Sequence, residues 1–442
     1  MQGNGTTENP FLVATAQDLN AVRNNMSAYY RQVANIDLSN WGNWEPIGTQ
    51  ANPFGGDYDG LSSRFHYDGA GYSVKGLHVN QVADYAGLFG YVGYAGGIQN
   101  LSCHGVSVKA ISSFGTGFAG AIAGFTLAPI KNCQSTGIVE SNYNAGGIAG
   151  LAADLVELCS SGATVSITYG GAGGITGDGR NLVNCCSVGV ISGRDQVGGI
   201  SGKANDIDGC VFSGKATGNE SVGGIAGGFQ ASGGKISNCY SIGEVSGTTA
   251  VGGIAGLAWG EVSCCYFSGS LNGVAIVGGL IGELSHFDDT YPSGFLLESF
   301  SLGQGIARRI GSNVDFGRCI GKSNAYSENA IKTYAQNNMQ FNGVVSGFPN
   351  FSPVLFGKDG QNISLAQART PSVYINAGWD MENTWGINAG QSFPFLRWLH
   401  RGGVFIKQDG VVRNVSRLAA KVNGELKQCK AYVKQRGQIY QI

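Results

Sequence analysis

A five-residue tag, Gly-Gly-Ile-x-Gly, recurs along the chain and limits the folds open to it more than any other feature. It reads GGIAG from Gly146, GGITG from Gly173, GGISG from Gly198, GGIAG from Gly223 and from Gly252, and GGLIG from Gly278. Gly120-Ala121-Ile122-Ala123-Gly124 precedes these copies, and Ala86-Gly87-Leu88-Phe89-Gly90 is a degenerate first one. From Gly120 the spacings are 26, 27, 25, 25, 29 and 26 residues. A second tag alternates with the first: NCQSTGIV at Asn132, NCCSVGVI at Asn184, NCYSIGEV at Asn238 and CYFSGSL at Cys265. Two tags locked to one period mean a single structural unit repeated about seven times.

A unit of about 26 residues is too short for a packed helix pair, and 74 glycines in 442 residues are hostile to helix interiors. After the glycine of the second tag the chain alternates. Val139, Ile191, Ala216, Val245 and Leu271 stand two residues on, with Thr164 in one odd copy, and the residue between is mixed. That alternation is a half-buried strand. Glycines at the tag borders suit corners that need φ > 0 or close backbone approach. The expectation is an all-β chain, a parallel β-solenoid of ~26-residue coils; seven coils at ~4.8 Å make a rod roughly 35 Å long.

Stacking turns repeat positions into columns. One holds Ile122, Ile148, Ile175, Ile200, Ile225, Ile254 and Leu280; another holds Cys133, Cys185, Cys210, Cys239 and Cys265, with Leu101 and Leu158 expected in the same slot. A slot that accepts leucine packs a small hydrophobe, so these cysteines read as buried structural thiols rather than disulfides or metal ligands. The adjacent pairs Cys185-Cys186 and Cys264-Cys265 should point to opposite faces. A capping-box pattern at Thr15–Asp18 predicts a short N-terminal helix over 16–26 that covers the first coil. Division follows as 1–85 (cap and first coils), 86–282 (regular solenoid), 283–400 (irregular coils and a C-terminal cap) and 401–442. In the last segment Lys407-Gln408-Asp409-Gly410, Lys421-Val422-Asn423-Gly424 and Lys434-Gln435-Arg436-Gly437 recur at spacings of 14 and 13. Their flanks predict a small β-hairpin module.

Several motifs fail on context. Gly115–Gly120 matches G-x-G-x-x-G but leads into a repeat tag, not a helix. Gly317–Ser323 is one residue short of a phosphate loop. The scattered His66, His78, His104, His286 and His400 indicate no metal site, and no cofactor is expected. Asp288 and Asp289 are adjacent loop acids, and the acids of the repeats share no column, so a non-catalytic rod is expected. Lys and Arg total 28 against 29 Asp and Glu. That balance argues against nucleic acid as a partner, and no apolar run is long enough for membrane insertion.

The chain resembles the GLUG-motif repeat proteins. The resemblance rests on DLNAVRNN, VANIDLS, WEPIG, FGGDYDG, the tags GLFG through GGLIG, and a closing GWDMENTWGINAGQSFPFLRW at Gly378–Trp398. Such repeats occur in bacterial surface proteins, some IgA-cleaving peptidases and phage-encoded proteins; the H-E-x-x-H of the peptidases has no counterpart here. The C-terminal repeat is similar to the V-x-V-K-x-N-G-x-W-K tail of phage virion proteins, with Trp absent. The resemblance and the polar start at Met1, which has no signal-like segment, imply a phage or prophage tail-associated fibre. Its expected partners are a host cell-surface glycan or protein and other virion proteins, with a homo-trimer implied by tail-fibre likeness. A cell-surface adhesin and a polysaccharide-degrading β-helix enzyme are the alternatives. Candidate ligand contacts are Trp41, Trp44, Tyr58, Phe65, Tyr67 and Tyr72, since aromatic faces stack on sugars.

Overall fold

Each tag glycine pairs with the tag glycine of the next coil. In the computed structural model Gly120, Gly146, Gly173, Gly198, Gly223, Gly252, Gly278 and Gly317 follow one another in a single parallel register. The structure describes residues 1–442 apart from 57–64, 82–83, 113–115, 230–232, 286–293, 309–314, 324–329, 346–356, 401–404, 409–410, 415–431, 436–437 and 442. Asp288, Asp289 and Tyr58 therefore lie outside the described residues. Each coil contributes to three parallel sheets. The first holds the short strand that runs into the tag, as in Phe118–Gly120; the second follows the tag, as in Ala123–Thr126 and Ile130–Lys131; the third carries the cysteine tag, as in Gln134–Ser141. The first sheet has nine strands among the described residues, so the solenoid makes about nine turns rather than seven. At ~4.8 Å per coil this is a rod of about 40 Å. Gly317-Arg318-Cys319-Ile320-Gly321 is a further copy of the tag and no phosphate loop. Arg318, in place of its second glycine, is buried and donates to the Gly360 carbonyl and to Asn362 Oδ1, both at 2.8 Å. Strands at Phe295–Leu297, Phe300–Ser301 and Tyr334–Gln336 carry the same register through the segment expected to be irregular.

The tag glycines answer close approach and not positive φ. A Cβ on Gly147 would lie 2.0 Å from Ser161 Oγ and 2.2 Å from the Gly174 carbonyl oxygen. Positive φ instead falls on the residue before the cysteine slot. Asn100, Asn132, Leu158, Asn184, Asn238, Cys264, Glu298 and Lys332 all have φ between 50° and 54°. Asparagine tolerates this left-handed corner better than other non-glycine residues, which explains the Asn that opens the second tag.

The isoleucine column is fully buried over its whole length and continues into Cys319. In the cysteine column the structure corrects one member: Cys159, not Leu158, fills the slot, and Leu158 stands at the left-handed corner. The thiols do more than fill space. The backbone N–H of Cys185 reaches Cys210 Sγ at 3.3 Å, that of Cys210 reaches Cys239 Sγ at 3.3 Å, and that of Cys239 reaches Cys265 Sγ at 3.4 Å. Ser299 takes over for Cys265, accepting at 3.2 Å. Burial raises the thiols of Cys159, Cys210 and Cys239, so they stay protonated. Every described cysteine is a free thiol. Cys185 belongs to the inner core and Cys186 to the outer face, as the strand alternation requires. A second one-residue correction falls in the same coil: Val165, not Thr164, pairs with Val139 and is buried.

Lysine and acidic side chains on neighbouring coils pair in register: Lys109–Glu140 at 3.3 Å, Lys131–Glu157 at 2.8 Å, Lys215–Glu244 at 2.8 Å and Lys235–Glu261 at 2.9 Å. Exposed pairs of this kind contribute at most about 1 kcal/mol each, but a slip of one residue would break all of them together.

At the N-terminal end α1 (Ala16–Ala21) begins at the expected capping box: Thr15 Oγ1 accepts from the Asp18 N–H at 3.1 Å, and Asp18 Oδ2 accepts from the Thr15 N–H at 3.1 Å. A 3₁₀ turn at Val22–Asn24 ends it before residue 26. The Tyr30 hydroxyl there donates toward the carbonyls of Val22 and Asn25, at 3.2 and 2.8 Å. Leu19 and Val22 close the core.

The segment expected to cap the far end lies along the side of the rod. After α2 (Pro371–Ala377), which Gly378 ends at φ 109°, the chain runs back over the outer face of the third sheet. Trp379 Nε1 donates to the Glu298 carbonyl at 2.6 Å, Trp385 Nε1 to Asn238 Oδ1 at 3.2 Å, and Trp398 Nε1 to the Gly209 carbonyl at 2.8 Å. This strap covers a ladder of Cys186, Val211, Tyr240, Tyr266 and Phe300; the Tyr240 and Tyr266 rings stack at 4.9 Å and 4°. Two antiparallel hairpins follow, Phe405–Gln408 with Val411–Asn414 and Tyr432–Gln435 with Gln438–Gln441. They agree with the expected hairpin module; the Lys421–Gly424 stretch lies outside the described residues.

Candidate functional site

Among the described residues, the aromatics singled out from sequence do not form one patch. Trp44 is fully buried under the N-terminal cap, its Nε1 donating to the Leu88 carbonyl at 3.1 Å. Trp41 packs half-buried against it, with ring centroids 5.6 Å apart. Tyr67 is fully buried; its hydroxyl meets Gln32 Oε1 at 3.2 Å, and burial raises its pKa far above the ordinary tyrosine value. Trp44 and Tyr67 are core because each sits on the inward phase of its coil. Phe65 lies in the strand Phe65–Asp68. Among the candidates whose burial is described, Tyr72 alone is exposed, at 37%.

A different aromatic group gathers on the outside, at the corner between the first and second sheets. It comes from two repeat positions. The residue after the last tag glycine supplies Tyr91 and Phe125, and the residue two before the first tag glycine supplies Tyr85 and Phe118. Parallel stacking brings equivalent positions together, so Tyr91 and Phe125 lie face to face at 4.7 Å and 7°. Tyr85 and Phe118 stack at 5.8 Å and 16°, Tyr85 meets Tyr91 edge-on at 5.2 Å, and Phe118 meets Tyr143 edge-on at 5.9 Å. All five rings are half-buried. Polar groups rim them: the Tyr85 hydroxyl approaches Gln50 Oε1 at 3.4 Å, Thr116 Oγ1 donates to Asp84 Oδ1 at 3.1 Å, and Lys203 Nζ stands 5.7 Å from the Tyr143 ring. Reading the flanks of the tag column by column, as was done for Ile and Cys, would have exposed this group.

Beyond Phe125 the same outer column changes to Leu151, Asp178 and Lys203. Asp178 is nearly buried, which lifts its carboxyl to about 6 against the opposing pull of Lys203. No catalytic partner stands beside it in that column.

A polar groove of about 380 Å³ opens at the corner between the second and third sheets near the N-terminal end. Arg31, Asp68, Asn100, Ser102, Asn132 and Gln134 line it, and Gly71, next to Tyr72, forms part of its edge. Among the described residues no group of three or more His, Cys, Asp or Glu side chains is placed to hold a metal ion. No described helix is long and apolar enough to cross a membrane.

No family model matches the chain. Two curated proteins are similar to parts of it. A protein provisionally named a Gly-rich membrane protein, from Evansella cellulosilytica, is 39% identical over 111 residues, 23% of this chain and 12% of that protein. Halomucin from Haloquadratum walsbyi is 31% identical over 160 residues, 34% of this chain and 2% of its own length. The chain thus matches only a small fraction of either relative. Among solved structures, a protein from Bacteroides ovatus provisionally named an immunoglobulin A1 protease aligns over 90% of this chain and 94% of its own, at 19% identity and a TM-score of 0.38.

Proposed function

We propose that the chain is a non-catalytic β-solenoid rod that holds carbohydrate at a cell surface, through the outward rings of Tyr85, Tyr91, Phe118, Phe125 and Tyr143. The observation that carries this reading is the ring cluster itself. Five half-buried aromatic rings with hydroxyl, amide and carboxylate groups at their rim suit the apolar faces and hydroxyl edges of sugars. A net charge of −1 gives no long-range pull that would favour a polyanion instead. The names of the two partial relatives, a membrane protein and a halomucin, support a cell-envelope setting. A virion carrier is the second reading. It is favoured by the two C-terminal hairpins, whose sequence carries the lysine-rich turn repeat.

The test is affinity electrophoresis of the full chain in gels containing soluble neutral polysaccharides, alongside a reducing-sugar assay. The expected result is retardation without release of reducing ends, reduced about tenfold or more by the double variant Tyr91→Ala/Phe125→Ala. Release of reducing ends would overturn the non-catalytic part, and full retardation of the double variant would overturn the aromatic site. Proteomics of phage particles and of cell-surface fractions separates the two carriers.

A further inference from the structure

The groove at the N-terminal end holds side chains that the fold leaves unused. The corner residues form an amide ladder: Asn132 Nδ2 donates to Asn100 Oδ1 at 2.8 Å, and Asn100 Nδ2 donates to Asp68 Oδ1 at 2.9 Å. The Ala70 N–H also donates to Asp68 Oδ1, at 2.9 Å. The ladder ties down one carboxylate oxygen and leaves Oδ2 of Asp68 without a hydrogen-bond partner among the described residues. Arg31 pairs with Asp68 in strand register, yet its guanidinium forms no ion pair with it. One coil position further, Ser102 and Gln134 are 6% and 7% exposed, and neither side chain makes a hydrogen bond among the described residues. Both line the groove. Here the open partner positions of a hydroxyl, an amide, a carboxylate oxygen and a guanidinium belong to one groove.

We infer that this groove, lined by Arg31, Asp68, Ser102 and Gln134, is a binding site for one neutral sugar unit, separate from the aromatic cluster. The chemistry selects the ligand class. Donors and acceptors are both present, as the hydroxyls of a sugar require, since each hydroxyl donates once and accepts as well. Arg31 and Asp68 cancel in charge, which disfavours a strongly ionic ligand. Among the residues that line the groove, Ala70 and Gly71 alone lack a polar side chain. Tyr72, exposed beside Gly71, stands at the edge where a ring face would lie. Along the third sheet the position of Ser102 and Gln134 is Cys186, Val211 and Tyr240 in later coils, under the strap. The groove therefore lies outside the strap's footprint, although the strand Phe405–Gln408 runs close to Gln134–Ser141.

The inference rests on the glycan reading and names a second contact for it. Calorimetric titration of the full chain with maltohexaose, mannohexaose, chitohexaose and oligogalacturonate tests it. The expected result is binding of a neutral hexasaccharide, weakened at least tenfold by Gln134→Leu and by the exposed-site variant Arg31→Ala, and retained by Tyr91→Ala/Phe125→Ala. Circular dichroism verifies that Gln134→Leu is folded, and Arg31→Ala supplies the answer where it is not. Loss only in the aromatic double variant would overturn the groove and leave the glycan reading intact. Preference for oligogalacturonate would overturn the neutral-sugar assignment. Polysaccharide retardation without any hexasaccharide binding would overturn the groove alone, and absence of both would overturn the two readings together.

Discussion

The outer face of the third sheet is one column of equivalent positions with two treatments. From Ser73 through Ser102, Gln134 and Ser160 it is polar, and the strand Phe405–Gln408 passes close to the strands of Gln134 and Ser160; from Cys186 through Val211, Tyr240, Tyr266, Phe300 and Tyr334 it is apolar and lies beneath or beside the strap. The inner columns are the same on both sides of the boundary, so the solenoid needs neither treatment in order to coil. The strap adds burial where the face is apolar, and the polar half contributes Ser102 and Gln134 to the groove. The aromatic cluster at Tyr85–Tyr143 and the polar groove both belong to coils of the polar half. The strap is confined to one half of the rod, and both proposed contact sites fall in the other.

The sharpest way to break this comparison is to remove a strap anchor. Trp385 is fully buried between Tyr240, Tyr266 and Trp379. Trp385→Ala should cost about 3–5 kcal/mol. The loss should appear in hydrogen exchange as faster exchange around Tyr240 and Tyr266, with Ser102–Ser135 unchanged. Equal loss in both halves would mean that the strap stabilises the whole rod.

A smaller effect probes the boundary coil. The Asp178 carboxyl titrates at about 6 in the folded chain, against about 3.9 when unfolded. Between those values the native state holds the extra proton, so stability falls as pH rises from about 4 to 6 and remains lower above that range. Asp178→Asn removes the titration. It should gain on the order of 2 kcal/mol at pH 7 and nothing below pH 4, read from urea denaturation at both pH values. A gain independent of pH would show that burial of Asp178 is not its cause.

The smallest effect concerns the left-handed corner. Leu158 holds φ 53° where most neighbouring coils place Asn, so Leu158→Asn should stabilise by about 1 kcal/mol. Thermal unfolding would detect it, and a loss instead would mean that packing of the half-buried leucine outweighs the corner strain.

The parts of this fold that were legible are those that repeat in register. Ile122 to Leu280 and Cys133 to Cys265 each mark one inward slot, because a coil can present that slot only to its two neighbours. The slips at Leu158 and Thr164 share a cause. That coil lacks the Asn marker, and Gly162 stands three residues after Cys159, whereas Gly137 stands four after Cys133. Alignment on the glycine displaces the strand by one residue; alignment on the cysteine places Val165 inward. The strap was not legible as a strap, since Trp385 meets Asn238 across 147 positions of chain and no local pattern encodes that contact. Its footprint was nevertheless present in the residue after the cysteine slot, which turns from Gln134 and Ser160 to Cys186, Val211 and Tyr240. The burial of two candidate aromatics has a related cause. Trp44 and Tyr67 were chosen by residue type without a repeat phase, and both fall on inward positions, while Tyr91 and Phe125 occupy an outward phase that the tag itself defines.

The most direct test of the division between the two halves is hydrogen exchange by mass spectrometry on the full chain, with and without a polysaccharide that retards it. The account predicts added protection confined to peptides within 67–145, covering the aromatic cluster and the groove. Peptides spanning Tyr240, Tyr266 and the strap at 371–399 should be unaffected. Protection centred on those covered coils, with none at Tyr91, Phe125 or Gln134, would contradict it.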